Sequence, residues 1–193
     1  ADRANSRLTL ADGRIVSYEQ LVAQRGERYA DVAVPEVFEK LARKCQAHLD
    51  HLASEIAAAA PDVMVIIGDD QAELYRPGNM PAVAVFCGDE IVTHAFPDTL
   101  PKWAKPMAEG YAMDRIHRFP APAEFARKVV EGLVDQNVDV AMATDVPEPE
   151  KFGFGHAFGF PITRLYGGRN IPTLPVMLNT YFPPNVPTSG RCV

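Results

Sequence analysis

The sequence is poor in cysteine and has no long apolar run, and both scarcities argue against whole classes of protein. The 193 residues contain three cysteines, an odd number, widely spaced with no CxxC pair and no His-rich tract beside them. We therefore interpret Cys45, Cys87 and Cys192 as reduced, buried structural thiols. No apolar run approaches the roughly 20 residues of a membrane span, and the N-terminal residues lack the apolar core of a secretory signal. We expect a cytoplasmic protein that binds no membrane.

A basic excess is also missing, and so are the motifs of several enzyme classes. Nineteen Lys and Arg stand against 25 Asp and Glu, the net charge is −6 and the basic residues are scattered, which argues against nucleic acid as a partner. Neither GxGxxG nor a Walker loop is present for nucleotide phosphates, and no GxSxG is present for a serine nucleophile. The 47% of hydrophobic and 23% of charged residues are typical of a globular domain with one sizeable core.

Hydrophobic periodicity predicts a long helix over residues 36–60. Its apolar residues recur at spacings of three and four, which is typical of one buried helical face. They are Phe38, Leu41, Cys45, Leu49, Leu52 and Ile56. Pro35 suits the first turn and Pro61 cannot continue the helix. We expect this helix to pack on the strand that follows it, with Phe38, Leu41, Leu49 and Ile56 buried.

Short apolar runs predict strands that alternate with helices. Residues 62–68 lack polar alternation and are predicted to form a central parallel strand covered on both faces. Further strands are predicted at 82–87, 138–144 and 173–179, the last at an edge or with an irregular start because it contains Pro175. A helix at 124–135 is expected to bury Phe125, Val129 and Leu133, with Val130 as a further candidate. Residues 162–166 are expected to form a helical turn. The pattern predicts the α/β class and one domain spanning residues 1–193.

Acidic residues follow the first predicted strand directly. Three carboxylates lie within five residues, at Asp69, Asp70 and Glu73, with Gln71 between them. Since open α/β sheets build sites at the carboxyl ends of their strands, these side chains could hold a hard divalent cation or supply an acid and a base. The alternative is that Asp69 or Asp70 caps a short helix beginning at Gln71. Both interpretations remain open on the local sequence.

One histidine lies in a loop of glycines and phenylalanines. His156 is part of FGFGHAFGF at residues 152–160, where glycines let the backbone approach a ligand and aromatic rings form flat apolar walls. An imidazole there could bind or deprotonate an aromatic ligand; the alternative is a structural histidine in a surface loop. Of the others, His48 and His51 are interpreted as structural, and His94 and His117 as solvent-facing. His117 could also hold an anion with Arg115 and Arg118.

Several short motifs together resemble a known enzyme family. In chain order they are IGDDQ at 67–71, NMPA at 79–82, Gly155-His156, LNTYFPPN at 178–185 and Arg191-Cys192. In order and approximate spacing they resemble the catalytic subunit of class III extradiol ring-cleavage dioxygenases, of the protocatechuate 4,5-dioxygenase type. The resemblance runs from about Pro61 to the C-terminus, and its most specific part is the segment from residue 178 to Cys192.

The resemblance implies a fold, a cofactor and roles for particular residues. The fold would have three layers, helix, mixed sheet and helix, and non-haem Fe(II) held by two His and one Glu would use O₂ to open a catechol- or gallate-type ring. His156 would be catalytic and contact the substrate, with Phe154 and Phe158 beside it. The family's second histidine ligand falls on Gln71, so the metal-ligand candidates are Glu73, Gln71 and Asp70.

The resemblance also implies parts beyond the given residues. We expect the first histidine ligand before Ala1, and the acid/base histidine and the glutamate ligand beyond Val193, in a chain that continues at both ends. A homo-oligomer or a partner subunit is expected. The alternative function is a non-catalytic binding or structural protein that retains the dioxygenase fold, and Gln71 at a ligand position favours it.

Overall fold

The chain divides into two compact units, residues 1–50 and 51–193. The computed structural model describes residues 7–10, 12–70, 74–76 and 78–179. The candidate ligands Gln71 and Glu73, the motif residues 180–185 and 191–192, and therefore Cys192, lie outside the described residues. The boundary between the units falls inside a long helix, and a single domain stays a prediction.

The first unit begins with a hairpin and a capped helix. Strands β1 (Leu8–Thr9) and β2 (Ile15–Val16) pair antiparallel. Helix α1 (Tyr18–Arg25) follows Ser17, whose hydroxyl accepts from the Gln20 N–H at 3.2 Å, while the Ser17 N–H donates to the Gln20 side chain at 2.8 Å. This reciprocal capping box satisfies two backbone donors at the helix start.

Helix α2 (Pro35–Ala59) confirms the predicted long helix but not its predicted burial. None of its residues is buried, and Phe38 and Leu41 are more than half exposed. Leu49 and Ile56 are partly buried. The expectation of a buried apolar face is therefore wrong. Periodicity shows that a helix has an apolar face, but which element covers that face depends on tertiary packing.

The second unit contains a four-stranded mixed sheet. Its strands are β3 (Met64–Gly68), β4 (Ala84–Phe86), β7 (Ala141–Ala143) and β8 (Thr173–Met177). They lie in the order β3-β8-β4-β7; the pairs β3/β8 and β4/β7 are parallel, and β8/β4 is antiparallel. The α/β class with a mixed sheet is confirmed.

The positions of two strands in this sheet differ from those predicted. Strand β3 lies at the end of the described sheet, and its Val65 and Ile67 are 50% and 65% exposed, so it is not a central strand covered on both faces. Strand β8 lies between β3 and β4 and not at an edge. Pro175 is tolerated because β4 pairs only with Val176 and Met177, beyond the proline, so its missing N–H interrupts no bond to β4.

Helix α4 (Ala123–Asp135) confirms the predicted helix at 124–135, but its buried residues differ from those predicted. The core cluster consists of Val85, Cys87, Ala126 and Leu174, with Val129 and Leu133 packed partly buried against it. Phe125 is 44% exposed because the neighbouring Ala126 takes the inward position on the helix.

The cysteine prediction is confirmed at one position and wrong at another. Cys87 is buried and free, and burial raises the pKa of its thiol, so it is a protonated core residue. Cys45 is exposed on α2.

The second unit also contains a two-stranded antiparallel pair and two further helices, and one of these helices, α5 (His156–Leu165), contacts β3. Strands β5 (Glu90–Val92) and β6 (Arg118–Pro120) pair antiparallel, and α3 (Lys105–Gly110) lies between them in the chain. Helix α5 (His156–Leu165) is longer than the predicted turn at 162–166 and continues through Pro161. No helix in the described ranges combines the length and the apolar character that a bilayer crossing requires.

Candidate functional site

The carboxyl ends of β3 and β8 meet at one edge of the sheet. The Leu178 N–H donates to the Gly68 carbonyl at 2.8 Å, just beyond the parallel pairing of the two strands. Two polar residues follow these strand ends, Asp70 and Asn179, and they are only 2% and 0% exposed. Buried polar groups at this edge of an α/β sheet mark the place where a ligand site is expected.

Asp70 uses its carboxylate to organise the backbone. Its oxygens accept from the Leu74 N–H at 3.1 and 3.2 Å and from the Tyr75 N–H at 2.7 Å. This favours the backbone-capping interpretation of Asp70, because a buried carboxylate needs such donors. Residues 74–76 are not helical, and a helix starting at Gln71 lies outside the described residues.

Buried polar atoms without a hydrogen-bond partner lie in the segments that follow β3 and β8. Among the described residues, the Asn179 amide oxygen and nitrogen and the Tyr75 hydroxyl are buried with no hydrogen-bond partner. A buried polar group left unsatisfied costs about 1–3 kcal/mol. Groups of this kind are those that a bound molecule would satisfy.

The Tyr75 phenol remains neutral in this environment. Burial, together with the negative charge of Asp70, raises the pKa of Tyr75 from 10.0 to about 12. The pKa of this phenol is higher in the folded protein than in the unfolded chain, so the environment of the neutral phenol stabilises the folded state. This stabilisation is complete below pH 10 and is lost as the pH rises from 10 towards 12.

We predict that Tyr75→Phe leaves stability at pH 8 unchanged or raises it by about 1 kcal/mol, because the substitution removes an unsatisfied buried hydroxyl. Between pH 8 and pH 11 the wild type should lose more stability than the variant. Urea unfolding at the two pH values measures both effects. Tyr29→Phe, at a tyrosine that is 49% exposed, is the control, and an identical pH dependence of the two variants would contradict the prediction.

His156 begins α5 beside the end of β3. A Cβ atom added to Gly68 would lie 3.1 Å from Ala157 Cβ and 3.1 Å from the Phe158 ring, so the first turn of α5 packs directly on this glycine. His156 is partly buried, and its ring lies against the Tyr111 ring, with 5.3 Å between ring centroids and 37° between ring planes. His156 is therefore close to the strand end that leads to Asp70.

The glycine-rich loop before His156 is packed on β5. The Phe154 N–H donates to the Val92 carbonyl at 2.9 Å, and a Cβ atom added to Gly153 would lie 2.7 Å from the backbone nitrogen of His94. His94 Nδ1 lies 3.2 Å from the Gly153 carbonyl oxygen. Gly153 is thus required because the backbone of β5 and His94 lies against it. The sequence predicts instead that the glycines of this loop let a ligand approach.

Phe154 and Phe158 are core residues. Each is 1% exposed, their rings pack edge to face at 5.2 Å, and Phe86 packs on Phe154 at 4.9 Å. Their predicted contact with a substrate stays a prediction. The aromatic surface beside the His156 ring belongs to Tyr111, whose ring also contacts Phe160 at 6.2 Å. No motif in the sequence singles out Tyr111, because it becomes a neighbour of His156 only through packing of α3 on α5.

The remaining histidines form contacts that sequence reasoning missed. His117 Nε2 lies 2.7 Å from Asp114 Oδ1, and both His94 and His117 are partly buried. Their predicted exposure to solvent is therefore wrong. Burial opposes ionisation of Asp114, but hydrogen bonding to His117 and the nearby charge of Arg115 lower the pKa of its carboxyl overall. The spacing of three residues between Asp114 and His117 is the signal that could have identified this pair. His48 and His51 are exposed on α2.

The described residues do not by themselves assemble a metal site. Within the described ranges, no group of three or more His, Cys, Asp and Glu side chains could hold a metal ion. Of the three predicted ligands, Asp70 alone is described, and its carboxylate is engaged with backbone N–H groups. The donor set of two His and one carboxylate is therefore not assembled by these residues.

Comparisons with known proteins assign no family to the chain. No family model matches it, and no curated protein is significantly similar to it. The resemblance to extradiol dioxygenases therefore depends on the short motifs and on where the fold brings them.

Proposed function

We propose that this chain belongs to a non-haem Fe(II)-dependent extradiol dioxygenase that opens catechol- or gallate-type rings. The observation that carries the proposal is the convergence of three motifs that are far apart in the sequence. Gly68, in the motif at 67–71, contacts Ala157 and Phe158, which directly follow the Gly155-His156 motif. Its carbonyl also accepts a hydrogen bond from the N–H of Leu178, the first residue of the motif at 178–185. Motifs that serve one ligand site must meet in space, and this meeting supports the proposal.

The chain's own residues would bind and orient the aromatic substrate. The His156 imidazole can hydrogen-bond a catechol hydroxyl and accept or return its proton. The side-chain amide of Asn179, which follows β8 and has no hydrogen-bond partner, offers a donor and an acceptor to a second polar group of the substrate. Fe(II), with Glu73 or Gln71 among its ligands, belongs to the proposal through the resemblance, and no step through iron follows from the described residues.

The decisive experiment combines metal analysis with oxygen uptake. The complete natural chain, with any subunit that co-purifies, is assayed for iron per chain and for oxygen consumption with catechol, protocatechuate and gallate. One iron per chain and substrate-dependent oxygen uptake are expected. Protein that holds no iron after anaerobic loading and consumes no oxygen would overturn the proposal. The non-catalytic binding protein, which Gln71 at a family ligand position favours, would then be the better description.

We predict that His156→Ala lowers kcat/KM at least tenfold, which corresponds to about 1.4 kcal/mol of transition-state binding. The reason is the loss of an imidazole that contacts the reacting hydroxyl, and steady-state oxygen uptake measures it. His48→Ala, at an exposed histidine of α2, is the matched control and should retain wild-type kinetics. Unchanged kinetics in a folded His156→Ala protein would make His156 a structural residue.

A further inference from the structure

Tyr111 is the aromatic residue that the fold places against the His156 ring. The two ring centroids are 5.3 Å apart and the ring planes are inclined by 37°, so the rings diverge and are not stacked flat. Phe154 and Phe158, the nearest aromatic residues in the sequence, are buried in the core, whereas Tyr111 is only partly buried. Part of Tyr111 is therefore accessible from solvent.

The backbone at Tyr111 is held by the same helix that carries His156. Gly159 of α5 lies so close to Tyr111 that a Cβ atom there would be 1.9 Å from the Tyr111 carbonyl oxygen. The Thr163 hydroxyl, one turn further along α5, lies 2.7 Å from the Gly110 carbonyl oxygen as a donor. The Tyr111 N–H donates to the Met107 carbonyl at 3.0 Å and so ties the residue to α3. The position of Tyr111 relative to His156 is thus set before any ligand binds.

We propose that Tyr111 is a ligand-contacting residue that forms the aromatic wall of the His156 site and selects planar aromatic rings. This inference rests on the proposed function and adds a substrate-binding residue that no motif of the chain identifies. The Tyr111 ring packs on the His156 imidazole with 5.3 Å between the two ring centroids, so a ligand that hydrogen-bonds to this imidazole binds beside Tyr111. Aromatic pairs prefer centroid separations of about 4.5–7 Å in tilted or offset arrangements. A preorganised wall also reduces the entropic cost of ordering the site around the ligand.

The test is direct binding of 4-nitrocatechol to metal-free protein, measured by calorimetry and by the visible absorbance of the probe. Tyr111→Leu should weaken binding about fivefold, the size expected for one aromatic pair, and Tyr111→Phe should stay within twofold of wild type because it keeps the ring. Tyr29→Leu makes the same exchange at a 49% exposed tyrosine of the first unit and should bind as wild type.

A measurement on the wild type keeps the inference testable if Tyr111→Leu fails to fold. Intermolecular nuclear Overhauser effects between probe protons and the Tyr111 ring protons are expected, and their absence in a saturated complex would overturn the inference. Wild-type affinity in a folded Tyr111→Leu protein would also overturn it while leaving the dioxygenase proposal intact. Failure of the wild type to bind 4-nitrocatechol would count against both, and the iron and oxygen-uptake assay would then decide the proposed function separately.

Discussion

Gly159→Ala is expected to lower the free energy of unfolding by about 2–3 kcal/mol, the upper part of the range of about 1–3 kcal/mol for forcing an added carbon into a well-packed interior. The new Cβ would lie 1.9 Å from the Tyr111 carbonyl oxygen and 2.8 Å from its carbonyl carbon. Both are backbone atoms, which cannot move aside by a change of rotamer. This clash is removed only if the backbone at Tyr111, just after α3, moves away from α5. Urea unfolding followed by circular dichroism measures the loss.

The control is the same substitution in another helix. Gly132 lies inside α4, and nothing is within 4 Å of a Cβ added there. Gly132→Ala should raise stability by up to about 1 kcal/mol, because alanine loses less conformational entropy than glycine on forming a helix. The two variants therefore change stability in opposite directions. Equal stabilities of Gly159→Ala and the wild type would show that the end of α3 does not pack on α5 as the structure has it.

Glu73→Ala is expected to abolish stoichiometric iron and ring cleavage, whereas Gln71→Ala should only weaken them. The resemblance puts Gln71 at the position of a family histidine ligand. A neutral amide oxygen is a weaker donor to Fe(II) than an imidazole, so a carboxylate two residues further on would have to supply both charge and affinity. Iron per chain, measured after anaerobic loading and desalting, and oxygen uptake with protocatechuate test both variants.

A second carboxylate substitution makes this comparison specific. Glu131→Ala removes an exposed glutamate of α4 and should leave iron content and oxygen uptake at wild-type values. Full iron occupancy in Glu73→Ala would exclude Glu73 as the replacement ligand. Loss of iron from Gln71→Ala alone would assign the metal to the amide.

The candidate site was only partly predictable from the sequence. His156 stands out because glycines and phenylalanines surround it within a few residues, and the turn after Gly68 because it follows an apolar run directly. The sequence cannot tell that Phe154 and Phe158 have their rings in the core while Tyr111 contacts His156. That distinction depends on α5 packing against β3 and α3, which lie far away in the chain.

The sequence by itself determined α2 and α4, the approximate positions of β3, β4, β7 and β8, and the α/β class, whereas it did not predict α1, α3, β1, β2, β5 or β6. The predicted elements follow from interactions between near neighbours, namely helical periodicity in α2 and α4, proline at the first residue of α2 and two residues after its end, and the β-branched run of β3. Only the tertiary structure decided that β3 lies at the end of the described sheet, that β8 lies inside it, and that Phe38 and Leu41 are exposed. Strand order and the covering of an apolar face are set by pairing and packing between distant segments, and local patterns carry no information about which segments those are.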